Sequence, residues 1–152
     1  MLTKTHLAIS VFAILFFISL VENKLIFVGV VLVATLLPDI DSRFSGLGSK
    51  LVFRPLQFFL KHRGIFHSFT FVILLTLLFV FFVPILAFGF FLGYGLHLLA
   101  DSFTIDGIQP FYPLKKKVSG KIRVGGKTEI GVLVIFVLLN LFFVIWKIGG
   151  LF

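Results

Sequence analysis

The residues of this chain that could do chemistry stand at the ends of its long apolar segments. They carry imidazole or carboxylate groups and come from separate segments: His6, Asp39, Asp41, His62, His67, His97, Asp101 and Glu129. Zinc, manganese and related divalent ions take these groups as ligands in proteins. Because the chain has no cysteine, thiolate ligation is excluded. The pattern predicts a metal site assembled from several helix ends.

Taken singly, each of these signals has a second interpretation. His97 and Asp101 are spaced i and i+4, so both side chains leave one face of a helix. They could share a metal or simply form a hydrogen bond. Asp39 and Asp41 could be ligands or turn-forming residues, and Glu129 could be a ligand or a helix cap. Clustered carboxylates repel one another unless a cation neutralises them, so the complete set favours metal binding.

Composition places these residues in a membrane protein. The chain is 59% hydrophobic, contains 23 phenylalanines and has long stretches without charge, which excludes an ordinary soluble domain. In a soluble protein the net charge of +8 would suggest nucleic acid. Here it indicates contact with anionic lipid headgroups, and we expect no nucleic-acid partner. Residues 1–21 lack a signal-peptide cleavage pattern, so we interpret them as a retained first helix.

The apolar segments predict a single all-α membrane domain, a bundle of five transmembrane helices. These are expected at residues 6–21, 25–38, 66–83, 85–101 and 130–147, and several are at or below the roughly 17–25 residues that a span needs. Pro84 and the following ILAFG predict a tight turn within a helical hairpin. Before the third span, the spacing of Lys50, Arg54 and Lys61 predicts a short interfacial helix, with an irregular basic loop as the alternative.

The basic residues predict how the bundle is oriented. All of the 14 except Lys24 and Lys147 fall on one side, in the N-terminal segment and two long connections. The positive-inside rule makes that side cytoplasmic, with the N-terminus inside. Every candidate ligand then lies at the cytoplasmic face of the cell's inner (plasma) membrane. Gly89 and Gly93 form a GxxxG pattern, which indicates close helix packing within the bundle.

Several motifs resemble those of a known family. A TH pair near the start is followed by LLPDIDS, HRGIFHS and HLLADSFTIDGIQPFYPL. In this order they resemble the YdjM-like family of inner-membrane proteins over essentially the whole chain. The resemblance implies a multi-pass helical protein with metal-dependent hydrolase activity. The matching residues are His62, Arg63, Gly64, His67 and Ser68 in one motif, and Asp101, Thr104, Gly107 and Pro113 in the next.

The expected metal centre holds one to three divalent ions, with zinc favoured over manganese. Its predicted ligands are His6, Asp39, Asp41, His67, His97 and Asp101, and His62 and Glu129 are further candidates. The order of these residues is also weakly similar to that of the zinc phospholipase C and P1 nuclease group, which hydrolyses phosphoesters. That similarity is an analogy about chemistry rather than fold.

The sequence therefore predicts hydrolysis of a phosphoester at the cytoplasmic surface of the membrane. The metal would activate water, and Arg63, His62 and Glu129 form the expected catalytic set. Arg63 would stabilise the developing phosphoryl charge, and Glu129 would act as general base. The predicted substrate is a phospholipid or lipid-linked phosphate from the inner leaflet. A basic cluster could steer its headgroup, namely Lys115, Lys116 and Lys117.

Two other functions fit part of this pattern. The chain could be a membrane anchor for a cytoplasmic partner, with a purely structural metal. Structural sites are closed and catalytic sites keep an open position, a difference that sequence does not reveal. The chain could also be a metal transporter or a proton-coupled one, but transport needs polar residues deep within the spans. Asn140 is the main polar residue expected at such a depth, so transport is the least favoured function.

Overall fold

The computed structural model describes residues 1–41 and 65–149, and within them the regular structure is helical. The α-helices are α1 (Thr3–Phe17), α2 (Lys24–Leu36), α3 (Phe69–Phe82), α4 (Pro84–Ser102) and α5 (Lys127–Gly149). Short 3-10 turns follow α1 and α2 and precede α3, at Ile18–Leu20, Leu37–Asp41 and Ile65–His67. The predicted interfacial helix, His62 and Arg63 lie outside the described residues, as does the side chain of Asp41.

The helices agree with the predicted segments in number and position but differ in length. Thr3–Leu20, Pro84–Ser102 and Lys127–Gly149 are long and apolar enough to cross a membrane. At 13 and 14 residues, α2 and α3 rise only about 20 Å, against a hydrocarbon core of about 30 Å. The count of five spans and the orientation of the N-terminus therefore stay predictions.

Helix α4 is the centre of the bundle. It packs most closely on α2 and α3 and also contacts α1, while α5 packs along α1. The buried core includes Phe90, Tyr94 and Leu98 of α4. A Cβ added to Gly93 would lie 2.3 Å from the carbonyl oxygen of Val31, so the backbones of α2 and α4 meet where only glycine fits. The prediction that the GxxxG pattern serves packing within the bundle is confirmed.

The predicted turn after Pro84 is wrong. Val83 alone separates α3 from α4, and Pro84 is the first residue of α4. The following ILAFG is therefore helical. Proline is well tolerated at the first helical position, because the N–H that it lacks would have no intrahelical partner there. The hairpin forms as predicted, with a shorter turn.

The basic connection between α4 and α5 folds back on the end of α4. Ile108 and Val118 exchange two backbone hydrogen bonds of 2.9 Å each, and the Ile122 N–H donates to the carbonyl oxygen of Phe103 at 3.0 Å. The Thr104 hydroxyl donates to the Asp101 carbonyl oxygen at 2.7 Å. These bonds fix a hairpin-like loop over the C-terminal end of α4, where two of the predicted ligands lie.

Candidate metal centre

Five of the predicted ligand residues come together where four helices end. His6 lies in the first turn of α1, Asp39 follows α2, and His67 precedes α3. His97 and Asp101 lie one turn apart near the end of α4. Because successive helices reverse direction, the starts of α1 and α3 meet the ends of α2 and α4. The three histidines are each 1% exposed and Asp101 is 2% exposed, so the group is withdrawn from solvent.

These side chains lie within the distances that a shared ion requires. The rings of His6 and His97 stack with centroids 3.8 Å apart and planes 8° apart. Asp101 reaches both rings, with Oδ1 3.3 Å from His6 Nε2 and Oδ2 3.7 Å from His97 Nε2. Asp39 Oδ1 lies 3.8 Å from the same His97 nitrogen. Two triads, His6–His97–Asp101 and Asp39–His67–His97, each offer ligand atoms within 4.8 Å of one another.

A backbone carbonyl determines which nitrogen of His97 is available. His97 Nδ1 lies 2.8 Å from the carbonyl oxygen of Thr35. A carbonyl only accepts hydrogen bonds, so Nδ1 carries a proton, and in the neutral ring Nε2 keeps its lone pair on the side of the carboxylates. Thr35 is in the last turn of α2, where carbonyls lack an α-helical partner. An outer acceptor of this kind is what usually orients a metal-binding histidine.

The arrangement fits a cation better than a network of hydrogen bonds. Among the described residues, His97 Nε2 and His6 Nδ1 are buried without a hydrogen-bond partner, which is costly for polar atoms. Burial also raises the pKa of the Asp39 carboxyl above its ordinary value, because the charged form is poorly solvated there. A divalent ion would satisfy the unpaired nitrogens and neutralise the carboxylates together.

His97 also limits how the two triads can be used. With Nδ1 bonded to Thr35, the ring offers one nitrogen, and Asp39 and Asp101 approach that same Nε2. One lone pair binds one ion, so His97 could serve as a ligand in only one of the two triads at a time. Ligation by Asp41 stays a prediction.

Comparison with known sequences agrees with this picture. The chain matches the family described as YdjM inner membrane protein over residues 1–152. It belongs to the YdjM inner membrane protein family. The resemblance seen in the motifs is thereby confirmed, and with it the class of membrane protein. No curated protein and no solved structure gives a significant match to the chain.

In this YdjM-family protein Glu129 lies beside the centre and not in either triad. Its side chain is fully buried, and its two oxygens accept backbone hydrogen bonds from Leu2 at 2.5 Å and from Gly125 at 2.6 Å. The α-amino group of Met1, next along the chain, contacts Asp101. Glu129 thus holds the start of α1, which carries His6, against the start of α5. Its roles as ligand or general base stay predictions.

Several residues that position the candidate ligands were not predicted from the sequence, because they lie outside its charged motifs. The Thr35 hydroxyl donates to the carbonyl oxygen of Val31 and accepts from Ser10, both at 2.7 Å, which joins α1 to α2 below the centre. The Tyr94 hydroxyl donates to the carbonyl oxygen of Phe66 at 2.8 Å and thereby fixes the turn that carries His67. Small hydroxyl residues within apolar runs were the available hint, because they must find partners inside the bundle.

Proposed function

We propose that this protein is a membrane-embedded, metal-dependent hydrolase that cleaves a phosphoester at the membrane surface. The observation that carries the proposal is the state of His97. Its protonated nitrogen is occupied by Thr35, and its free nitrogen faces Asp39 and Asp101 in a buried, histidine-rich group. Ionisable residues at such positions in membrane proteins are costly and usually functional.

The residues that would hold the ion are His6, Asp39, His67, His97 and Asp101, which between them offer three imidazoles and two carboxylates. This mixture suits zinc and also manganese. Once bound, the ion would act as a Lewis acid and lower the pKa of a water bound to it to near neutrality. The Asp39 side chain is 16% exposed, against 3% for Asp101, so we expect substrate to approach past Asp39.

Two further residues complete the proposed site. Arg63 lies outside the described residues, but the HRGIFHS motif brings it within four residues of His67. A guanidinium pairs two phosphoryl oxygens at once, so we assign Arg63 to the phosphate. His62 in the same motif is a further candidate. Both oxygens of Glu129 already accept backbone hydrogen bonds, which supports a positioning role for it over that of general base.

The proposed substrate is a phospholipid or a lipid-linked phosphate. Membership of an inner-membrane family supports a site close to lipid, and the flanking connection presents exposed Lys115, Lys116 and Lys117. Cationic side chains at a membrane surface attract anionic headgroups. A lipid carrying a phosphate is therefore the substrate class that reaches this site at the highest local concentration.

The decisive experiment compares metal content and turnover in two variants of the full chain. We expect purified wild type to hold stoichiometric zinc or manganese and to release headgroup or phosphate from a panel of phospholipids and lipid phosphates. His97→Ala should lose both metal and turnover. Arg63→Ala should keep the metal and lose about 100- to 1,000-fold in turnover. Loss of metal from Arg63→Ala would contradict this division of roles, and a metal-free wild type would contradict the proposal.

A second candidate is a membrane anchor with a structural metal, which the depth of the three histidines favours. Structural sites are closed, whereas a catalytic ion keeps a position open for water or substrate. Cobalt-substituted protein distinguishes the two. A visible absorption spectrum that shifts on addition of inorganic phosphate indicates an open position and supports the hydrolase. An unchanged spectrum favours the anchor.

A further inference from the structure

An apolar cavity of about 480 Å³ lies between α1, α4 and α5. The described residues that line it all have apolar side chains, among them Phe12, Leu96 and Phe136. Its volume falls within the range of small-molecule sites, roughly 300–1,000 Å³. The metal centre uses none of these side chains, so the cavity is a separate feature that needs its own explanation.

The cavity begins beside the metal centre. Leu96 and Ala100 form part of its wall, and the next residue after each is a proposed ligand, His97 or Asp101. Site and cavity therefore occupy adjacent faces of α4. Ile122 lines the same end of the cavity, and its neighbours Lys121 and Arg123 are exposed. One end of the cavity thus combines a candidate metal site with cationic side chains.

The other end is apolar and aromatic. The lining of α1 extends from Ile9 to Phe17, a distance of about 12 Å at about 1.5 Å per residue. At that depth Phe17 meets Phe88 of α4 edge to face, with ring centroids 5.5 Å apart. Phe12 similarly meets Phe136 of α5 at 5.6 Å. We call the end that Phe17 lines, the farthest along α1 from the metal centre, the floor.

We infer that this cavity receives one hydrocarbon chain of the lipid whose phosphate lies at the metal centre. The inference rests on the proposed function for the identity of the headgroup only. An apolar cavity with exposed cationic side chains beside one end matches a single-chain amphiphile. A helix from a second copy, about 10 Å in diameter, would need roughly twice this volume over the same length.

The cavity would select chains by length more than by affinity. A lipid chain leaves a bilayer that is as apolar as the cavity, so burial itself contributes little. Contact with the floor is different, because a chain longer than the cavity must bend or leave its headgroup out of register. Phe17 would then be a residue that determines specificity without touching the reacting atoms.

Photolabelling tests this assignment without relying on turnover. The probe is dodecyl phosphate with a diazirine at the end of its chain, used on the full-length protein in detergent micelles. We expect label on peptides that contain Phe17 and Phe136, severalfold above Phe82, which is exposed on α3. Unlabelled dodecyl phosphate should compete and butyl phosphate should not. Label spread evenly over lipid-facing helices, or label that does not respond to competitor, would overturn the inference.

Two variants sharpen the test. Phe17→Ala should open the floor and make hexadecyl phosphate a better competitor relative to dodecyl phosphate. The same substitution at Phe82 is the matched control and should leave that ratio unchanged. Ala13→Phe places a ring in the cavity and should reduce labelling severalfold while metal content stays the same. Equal ratios in Phe17→Ala and Phe82→Ala would contradict a floor that measures chain length.

The two proposals fail in distinguishable ways. If wild type holds no metal but the floor is labelled and competed, the proposed hydrolase fails and the chain-binding cavity stands. If metal and hydrolysis are present but the floor is not labelled, the proposed hydrolase stands and the chain-binding cavity fails. A cross-linked dimer in which a second copy protects Phe17 and Phe136 from the probe would assign the cavity to self-association and overturn the inference.

Discussion

Helices α4 and α5 are both long and apolar enough to span a membrane, yet they have opposite surroundings. In α4, 50% of the spanning residues are buried, against 6% in α5. Helix α5 has the higher mean hydropathy of the two, so burial in this protein does not follow hydrophobicity. Lipid is as apolar as a protein core, and helices associate instead through small residues and polar contacts.

The residues that are buried in each helix bear this out. Those of α4 include the small or ionisable Gly89, Gly93, His97 and Asp101, beside the larger Phe90, Tyr94 and Leu98. The one described buried residue of α5 is Glu129, and it too is ionisable. The small and ionisable residues of a helix, rather than its apolar ones, therefore determine how it packs in this bundle. Substitutions in α4 and α5 test that contrast.

The largest effect is expected from removing His97, the proposed metal ligand of α4. His97→Ala should reduce metal affinity by more than the roughly 10- to 100-fold that outer residues cause, because His97 belongs to both triads. Elemental analysis of purified protein measures this. Leu99→Ala on the exposed side of the same helix is the control and should retain full metal. If His97→Ala retained its metal, α4 would not supply the main metal ligand.

The next effect comes from the single buried residue of α5. Glu129→Ala leaves the backbone N–H groups of Leu2 and Gly125 without their acceptor, which should cost about 1–3 kcal/mol of unfolding free energy. It should also loosen the helix that carries His6. Titration with a denaturing detergent measures the first effect and metal analysis the second.

Glu129→Gln separates the three roles that have been considered for this residue. The amide keeps one acceptor oxygen, so a positioning role predicts that it recovers stability and metal binding in part. A ligand role predicts that metal is lost as in His97→Ala. A general base predicts full metal with little turnover, and that outcome would restore the assignment made from the sequence.

A pair of glycines compares packing in the two helices directly. Gly93→Ala in α4 places a methyl group against the carbonyl of Val31, and overpacking of this kind costs about 1–3 kcal/mol. Gly131 of α5 has nothing within 4 Å of such a methyl. Gly131→Ala should therefore be neutral or stabilise by about 0.5–1 kcal/mol, from helix propensity alone. Equal effects at the two sites, measured by thermal unfolding in detergent, would contradict the contrast.

The smallest effect is expected at the polar residue in the middle of α5. Asn140 donates from Nδ2 to the carbonyl oxygen of Ala8 at 3.0 Å, and such bonds between membrane helices are worth about 0.6 kcal/mol on average. Asn140→Leu should change stability by less than about 1 kcal/mol and leave metal content unchanged. A larger loss of stability would contradict this weak role for the hydrogen bond, and a loss of metal would link Asn140 to the metal centre and revive the transport hypothesis.

Much of the fold could be predicted because each membrane helix is determined by its own stretch of sequence. Apolar runs located the helices to within a few residues, and the polar ends indicated which ends meet. The turn at Pro84 was wrong because proline is compatible both with a turn and with the first residue of a helix, and a sequence does not distinguish them. The lengths of α2 and α3 differ from the predicted segments because flanking residues form 3-10 turns.

Within the site, residue types were predictable and partners were not. The i, i+4 spacing placed His97 and Asp101 on one face, and that pair does lie together. The contact of Asp101 with His6 and the bond from Leu2 to Glu129 join residues 95 and 127 positions apart. No periodicity relates such positions, so helix packing had to determine them.

The sequence by itself determined the membrane class, the helical architecture, the family and the chemistry of the candidate ligands, because composition, periodicity and motif order are properties of the chain alone. The tertiary structure decided which nitrogen of His97 is free, that both triads of candidate ligands include His97, that Glu129 binds backbone N–H groups, and that an apolar cavity adjoins the candidate site. Each of these depends on atoms brought within a few ångströms by packing between helices, and that packing is directed by a few small and polar residues.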